Sequence, residues 1–248
     1  MAISTPTERY AQSRTAQGAT TTFPLTGTIA TGSFCVLGVT TSVDGKVVSS
    51  VSDGAGNTWS VDVAFNGIAA NENISIISCQ VTTQMTPGTT ITVNYAVSTN
   101  NQAHLWLEEF TGIATSSAFD QTAAASGSST SPSTGASGTL AQADELVVAW
   151  TRNASAVVFT KGATYTDMPT ASLGSNRSNG EYKIVAATTA VTADGSLASS
   201  DAWTIALATY KGAAAGSAIK TIDGLAKASI KTINGLAIAS VKTRDGLA

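Results

Sequence analysis

Short runs of β-branched and aromatic residues alternate with clusters of Gly, Pro, Asn and Asp along most of the chain. The runs recur about every 8–15 residues between Thr20 and Lys211, which is the spacing of strands and turns in a sandwich or barrel. The pattern predicts strands at 20–25, 33–41, 47–52, 59–65, 74–82, 89–97, 104–111, 118–122, 145–151, 156–160, 181–186 and 203–210. This number of strands suits two packed sheets, so we predict a β-sandwich domain over residues 20–211.

Two of the runs indicate how their strands are covered. Polar and apolar residues alternate over 90–95, which predicts a strand with one face in solvent. Residues 146–150 are apolar on both faces and are typical of a central strand that is covered on each side.

Three segments lack strand periodicity. Residues 1–19 are polar and aperiodic, and we expect an arm that is disordered alone or ordered against a neighbour. Residues 126–140 are mostly Ser, Thr, Gly and Pro, so they should form an exposed loop or an extended crossing strand. The small residues of 212–217 are interpreted as a linker.

The segment 218–248 consists of three copies of an 11-residue unit with the pattern Ile-Lys-Thr-Ile-Asx-Gly-Leu-Ala. Asx-Gly between short β-capable runs is a strong signal for a two-residue hairpin turn, because both central positions need positive φ. An 11-residue period can also indicate a right-handed helical supercoil, which a glycine in every unit disfavours. A single unit is too small to bury its own apolar residues, so the units should stack on one another, on the sandwich or on other chains. The predicted assembly residues are Ile219, Ile222, Leu225, Ile230, Ile233, Leu236, Val241 and Leu247.

Composition and charge narrow the classes of partner. The 248 residues are 43% apolar and 12% charged, against about 25% charged in an average soluble protein, and such chains are typical of extracellular or particle-surface β proteins. The net charge of −3, with +3 in residues 218–248 and −6 elsewhere, gives no reason to expect nucleic acid. No apolar stretch is long enough to insert into a membrane. The N-terminus has no secretory pattern, which fits a particle assembled in the cytoplasm, or a protein whose signal has been removed.

The two cysteines, Cys35 and Cys79, both lie in predicted strands. They could form a disulfide only if their Cα atoms approach within about 7 Å. We favour buried free thiols.

The residue types that carry catalysis are not arranged for it in this sequence. His104 shares a strand face with Glu108 and is interpreted as a packed sandwich histidine, whereas a hydrolase would need a cleft with His104 and two convergent carboxylates. The pairs 108–109 and 144–145 are both acidic, but neighbouring strand residues point to opposite faces and cannot flank one bond. We expect these pairs as solvent or edge charges, and we expect no catalytic residue, metal or cofactor.

Two further groups of residues were weighed as ligand sites. The run 53–58, Asp-Gly-Ala-Gly-Asn-Thr, lacks the carboxylates of a calcium loop and predicts a turn. The four tryptophans could form a sugar-stacking platform, but each lies in a strand-like run, which favours core packing. Tyr165, Asn176 and Asn179 lie in loop-like regions and are the candidate ligand-binding residues.

The run 51–59, Val-Ser-Asp-Gly-Ala-Gly-Asn-Thr-Trp, the closing segment 203–211 and the repeats together resemble surface and fibre proteins of tailed bacteriophages and uncharacterised bacterial relatives. The likeness covers most of residues 20–248. It implies a jelly-roll-like sandwich and frequent trimers, and it brings no catalytic residue. We therefore expect an all-β chain, a two-sheet jelly-roll-like β-sandwich followed by a short repetitive β-hairpin tail.

These observations favour a virion structural protein, a fibre or capsid-decorating subunit at the virion surface. Its expected partners are other virion proteins and further copies of itself, with a trimer favoured. The alternative is a carbohydrate-binding module that attaches to host surface glycans through exposed loops.

Overall fold

The computed structural model describes residues 2–14, 18–67, 71–175 and 177–214, together with the backbone of residues 221–222, 225–226, 232–233 and 236–237. All regular elements in these residues are strands, so the prediction of an all-β chain is confirmed. No membrane-spanning helix is present in the described segments. The chain divides into a unit from Ala2 to Ala213 and a tail unit that holds Ala214–Ala248.

The larger unit contains two successive groups of strands. The first group is β1 (Thr7–Arg14), β2 (Thr20–Pro24), β3 (Phe34–Thr41), β4 (Val48–Asp53), β5 (Trp59–Asn66), β6 (Asn73–Gln80), β7 (Thr90–Tyr95) and β8 (Ala103–Phe110). The second group is β9 (Phe119–Ser129), β10 (Glu145–Asn153), β11 (Phe159–Lys161), β12 (Thr166–Leu173), β13 (Ser178–Val185), β14 (Gly195–Leu197) and β15 (Asp201–Lys211).

Two five-stranded antiparallel sheets form the centre of the unit, with the orders β1-β8-β3-β6-β5 and β12-β13-β10-β15-β9. The core between them includes Trp106, Phe110, Trp150 and Tyr210. A three-stranded sheet, β2-β7-β4, covers the outer face of the first sheet over a second core. The β11-β14 pair and residues around Leu140 cover the second sheet over a third core. The predicted sandwich is confirmed, and both of its outer faces carry a further layer.

The layers explain the two strand patterns found in the sequence. Every residue of β10 is buried because it has a core on each side, as its continuous apolar run predicts. In β7 buried and more exposed residues alternate, as expected for the outermost layer.

The two halves of the larger unit have the same topology. Strand for strand, β1-β8-β3-β6-β5 corresponds to β9-β15-β10-β13-β12. The edge strands β5 and β12 also share a register shift at the same place, after Val61 and after Asp167. The sandwich is therefore built from two copies of one structural unit that face each other.

Matching hydrogen bonds fix the correspondence between the halves. The amide of Ser4 donates to the carbonyl of Thr111 just beyond β8, and the amide of Ala114 donates to the carbonyl of Lys211 at the end of β15. A glycine follows in both places.

Counting along the paired strands from these bonds aligns the rest of the two halves. Phe110 corresponds to Tyr210, and Ser78 on β6 corresponds to Tyr182 on β13. The halves therefore differ in side chains at positions where their backbones agree.

Each predicted strand overlaps an observed one, but some elements and boundaries were missed. The predicted arm over residues 1–19 is wrong for 7–14, because β1 pairs with β8 along its whole length. This edge strand buries one apolar side chain, Tyr10, so it has almost no apolar periodicity. β9 continues through Ser129, while β12 and β14 were not predicted. Gly212 and Ala213 belong to the sandwich rather than to the linker, since their amides donate to carbonyls of Asp144 and Gly112.

In the tail, two short antiparallel pairs recur at the repeat interval. β16 (Thr221–Ile222) pairs with β17 (Leu225–Ala226), and β18 (Thr232–Ile233) pairs with β19 (Leu236–Ala237). Four predicted assembly residues, Ile222, Leu225, Ile233 and Leu236, lie in these strands. The other four, Ile219, Ile230, Val241 and Leu247, lie outside the described residues.

Cys35 and Cys79 lie directly opposite each other on β3 and β6. Both are buried free thiols. Burial raises the pKa of Cys79 to about 12, so its thiol stays protonated and unreactive in the folded protein.

The close approach of the two central sheets depends on a glycine. A Cβ on Gly38 of β3 would lie 2.2 Å from the indole of Trp150 on the facing sheet. We expect Gly38→Ala to lower the free energy of unfolding by about 1–3 kcal/mol, because the buried indole has no space to move into.

Chemical denaturation of the purified variant measures this change. Gly54→Ala is the matched control, since a Cβ there meets nothing closer than 3.8 Å. A stability of Gly38→Ala equal to that of Gly54→Ala would show that the sheets can separate to accept a methyl group.

Candidate ligand groove

A groove opens between the two central sheets at the edge formed by β5. Its cavity volume is about 340 Å³, at the lower end of the range of small-molecule sites. One side is polar and is lined by Thr58, Ser60, Asp62, Ser78, Gln80 and Thr82. The other side is formed by the loop 114–118 and the rings of Phe34 and Phe119.

The polar side begins where the residues on the inner face of β6 change from apolar to polar. Ile74 and Ile76 belong to the core between the sheets, and the next residues on that face are Ser78 and Gln80. Ser60 of β5 lies opposite Ser78 and is exposed. Because successive inward positions of a strand are two residues apart, the core ends at Ile76 and the groove begins at Ser78.

Asp62 is placed in the groove by an irregularity in β5. The register shift between Val61 and Val63 leaves Asp62 as an extra residue in the pairing with β6. The hydroxyl of Tyr210 donates to Asp62 Oδ2 over 2.7 Å. Burial raises the pKa of Asp62, and hydrogen bonds from Ser78 and Tyr210 oppose the rise. Asp62 is therefore a fixed hydrogen-bond acceptor in the groove.

An aromatic cluster forms the opposite wall. The rings of Phe34 and Phe119 pack edge-on against Tyr210, with ring centroids 4.9 and 6.2 Å away. Phe119 is 38% exposed, so part of its ring faces the groove. Two backbone hydrogen bonds tie the loop to β15, from the amide of Ala114 to the carbonyl of Lys211 and from the amide of Lys211 to the carbonyl of Ala118. The wall is thus fixed to the sheet at both ends of the loop.

Gln80 leaves one hydrogen-bond acceptor unsatisfied. Its Nε2 donates to the carbonyl of Ser33 over 3.1 Å, while its buried Oε1 has no partner among the described residues. Because this oxygen is closed to the groove, Asp62 is the acceptor that the polar side offers to a ligand.

The candidate ligand residues predicted from the sequence do not form this groove. Tyr165 is buried in the third core, and its hydroxyl donates to the carbonyl of Thr192 over 2.9 Å. Asn179 is also buried, on β13, and Asn176 lies outside the described residues. The expectation that Tyr165 and Asn179 are surface residues is wrong, because the outer layer over the second sheet was not foreseen and β13 begins at Ser178, before the predicted strand at 181–186. The change from Ile to Ser and Gln along β6 is the sequence signal that marks the groove.

His104 lies in a separate buried polar cluster. Its Nδ1 is 2.7 Å from Ser178 Oγ and 2.8 Å from Arg152 Nη1. Burial, followed by the charge of Arg152, lowers the pKa of His104 to about 3, so the ring is neutral and accepts these hydrogen bonds. Arg152 also forms an ion pair with Glu72, which precedes β6 in the facing sheet. This cluster holds the two sheets together at full burial, and a single carboxylate belongs to it.

Three residues of the two acidic pairs occupy positions different from those expected. Glu108, Glu109 and Glu145 are buried, not solvent or edge charges, whereas Asp144 is exposed as expected. Glu109 pairs with Arg9, whereas neither oxygen of Glu108 has a hydrogen-bond partner in the part of the chain that the structure describes. Burial, with a smaller contribution from the charge of Glu8, raises the pKa of Glu108 to about 8. The core therefore contains a protonated glutamic acid at neutral pH.

The run 53–58 forms a turn, as predicted. Asp53 Oδ1 accepts hydrogen bonds from the amides of Ala55 and Asn57, and Oδ2 accepts one from the indole of Trp59. These three hydrogen bonds to the Asp53 carboxylate stabilise the turn. Among the described residues, no group of three His, Cys, Asp or Glu side chains could hold a metal ion.

Stability should be higher at mildly acidic than at alkaline pH. Burial raises the pKa of Glu108 and of Glu181 to about 8, from an ordinary value of 4.5. The folded protein keeps two protons that the unfolded chain releases above pH 4.5, so the free energy of unfolding should fall as pH rises from 4.5 to about 8. The slope is up to about 1.4 kcal/mol per pH unit for each proton, and urea denaturation at a series of pH values measures it.

The variant Glu108→Gln removes one of the two buried carboxyl groups that stay protonated in the folded protein. Its stability should depend less steeply on pH, while Asp144→Asn, at an exposed turn residue, should keep the slope of the parent. An unchanged slope in Glu108→Gln would show that Glu108 is ionised in the core.

The chain matches no protein-family model, no curated protein and no solved structure. The properties of the groove are therefore read from its own residues. They combine a fixed hydrogen-bond acceptor, several hydroxyl groups and an exposed aromatic ring. This combination suits a small polar ligand.

Proposed function

We propose that this chain is a non-enzymatic structural protein of a particle surface, a fibre or capsid-decorating subunit of a virion. The sandwich presents a surface for contacts, and the tail repeats join copies of the chain to one another. The supporting observation is that equivalent residues of two successive repeats pair in the same way, Thr221 with Ala226 and Thr232 with Ala237.

The size of the tail elements favours assembly. Each pair consists of two-residue strands, and an isolated hairpin is at best marginally stable in water. Repeats of this size become stable when neighbouring units cover one another. Several weak tails within one oligomer also bind far more tightly together than each does alone.

The sandwich has the properties of a durable display domain. Its three cores bury residues from every layer, and the polar cluster around Arg152 links the two central sheets at full burial. His104, Glu108 and Glu181 are buried in this framework, where no substrate can reach them. These placements favour a role in structure over a role in catalysis.

A second candidate function is a carbohydrate-binding module for host attachment. The groove beside β5 favours it, because hydroxyl and amide groups lie opposite a partly exposed Phe119 ring. The two functions are compatible, since attachment would use the sandwich and assembly would use the tail.

We expect the full chain to be a homo-oligomer, with a trimer of about three times 24.9 kDa, and a truncation after Ala213 to be monomeric. The truncation keeps the complete larger unit, so circular dichroism should show that it remains folded. Light scattering at matched concentrations measures both masses.

A full-length double variant, Ile222→Asn with Ile233→Asn, tests the apolar repeat positions. It should lose oligomer mass, whereas Thr221→Ser with Thr232→Ser is the matched control and should keep it. A monomeric full chain at all concentrations, or an oligomeric truncation, would count against assembly through the repeats.

A further inference from the structure

The groove occupies a position that is filled by an aromatic ring in the other half of the sandwich. Tyr182 on β13 packs edge-on against Phe110, with ring centroids 6.4 Å apart at 65°. In the correspondence between the halves, Tyr182 matches Ser78 of the first half, and Phe110 matches Tyr210 of the second half. Where the second half has a phenol ring, the first half thus has a hydroxymethyl group and an open groove.

The lining of the groove defines the chemistry of an occupant. Asp62 is the one charged side chain among the described lining residues, so the lining offers no cation to an anionic ligand. Asp62 Oδ2 already accepts from Tyr210, which orients the carboxylate toward further donors. An occupant must therefore donate hydrogen bonds and carry no negative charge.

The opposite wall requires an apolar face on the same occupant. The exposed part of Phe119 lies beside the loop 114–118, and its ring is held by Tyr210. A ring with hydroxyl donors at its edge and C–H groups on its face satisfies both walls, whereas an apolar ligand would give the Asp62 carboxylate no donor.

We propose that the groove binds a neutral saccharide, one sugar ring of which takes the place that the Tyr182 ring fills in the second half. Hydroxyl groups of the sugar donate to the Asp62 carboxylate, and the face of the sugar ring packs on Phe119. Ser60, Thr58 and Thr82 provide further hydroxyl partners along the open side. This inference rests on the second candidate function and is independent of assembly through the tail.

The site is largely formed before binding. Asp62 is oriented by Tyr210, and the loop is bonded to β15 at both ends. Ser117 in this loop has a positive φ of 48°, a conformation that non-glycine residues adopt mainly where surrounding contacts impose it. Ligand binding then costs little conformational entropy, because the groups of the site are already ordered.

The decisive test fills the groove with the side chain that the other half already has at this position. The full-length protein is applied to an array of immobilised neutral and sialylated glycans, and affinity for the best neutral glycan is then measured by calorimetric titration. Ser78→Tyr should reduce this affinity by about tenfold or more. Ser52→Tyr is the matched control, because Ser52 is an exposed residue of β4 outside the groove, and it should bind as the parent does.

Two further variants keep the test decisive if Ser78→Tyr fails to fold. Phe119→Ala removes the exposed ring and Asp62→Asn changes the acceptor, and each should weaken binding while thermal melting shows a folded protein. The proposal is overturned if the parent binds no neutral glycan, if it binds sialylated glycans alone, or if folded groove variants bind as tightly as the parent.

Light scattering on the same samples separates this inference from the assembly role. The groove variants should keep the oligomer mass of the full chain, since the groove and the repeats belong to different units. Absent glycan binding with an intact oligomer would reject the saccharide site and leave the assembly function standing.

Discussion

The packing of Trp150 against the backbone of Gly38 sets the distance between the two central sheets. The indole lies where a Cβ of Gly38 would be 2.2 Å away, so the sheets can pack at this separation because β3 has no side chain at that point. Trp106, directly opposite Gly38 on β8, packs on the same indole with ring centroids 6.5 Å apart. The central core, the buried polar cluster and the groove all lie between these two sheets, so they depend on the separation that this contact sets.

The two halves of the chain share one strand arrangement but differ in the side chains between the two central sheets. Their strand orders, bulges and closing hydrogen bonds correspond, but their inward side chains do not. At one edge Tyr182 closes the gap between the sheets, and at the equivalent edge Ser78 leaves it open. The same strand arrangement thus closes the gap in one half and leaves a groove in the other, because a strand position can change without altering the backbone pairing.

Charged residues are sparse in this chain, and several of them lie inside the molecule. The Arg152–Glu72 pair bridges the two sheets at nearly full burial, and breaking such a pair is costly because it leaves an uncompensated buried charge. Glu108 and Glu181 avoid that cost by staying protonated. The remaining polar surface is rich in hydroxyls and amides, which is consistent with the proposed display on a particle.

The sequence by itself determined the fold class, the positions of most strands, the turn at Asp53 and the 11-residue repeat. These features follow from local periodicity and turn chemistry, which act over a few residues. Only the tertiary structure decided that β1 belongs to the sandwich, that extra layers bury Tyr165 and Asn179, and that the two halves are duplicates. It also decided the groove, whose walls come from residues within 58–62, 78–82 and 114–119 and from Phe34. The physical reason is that the burial of a polar strand residue depends on which distant strand covers it, and local pattern does not contain that information.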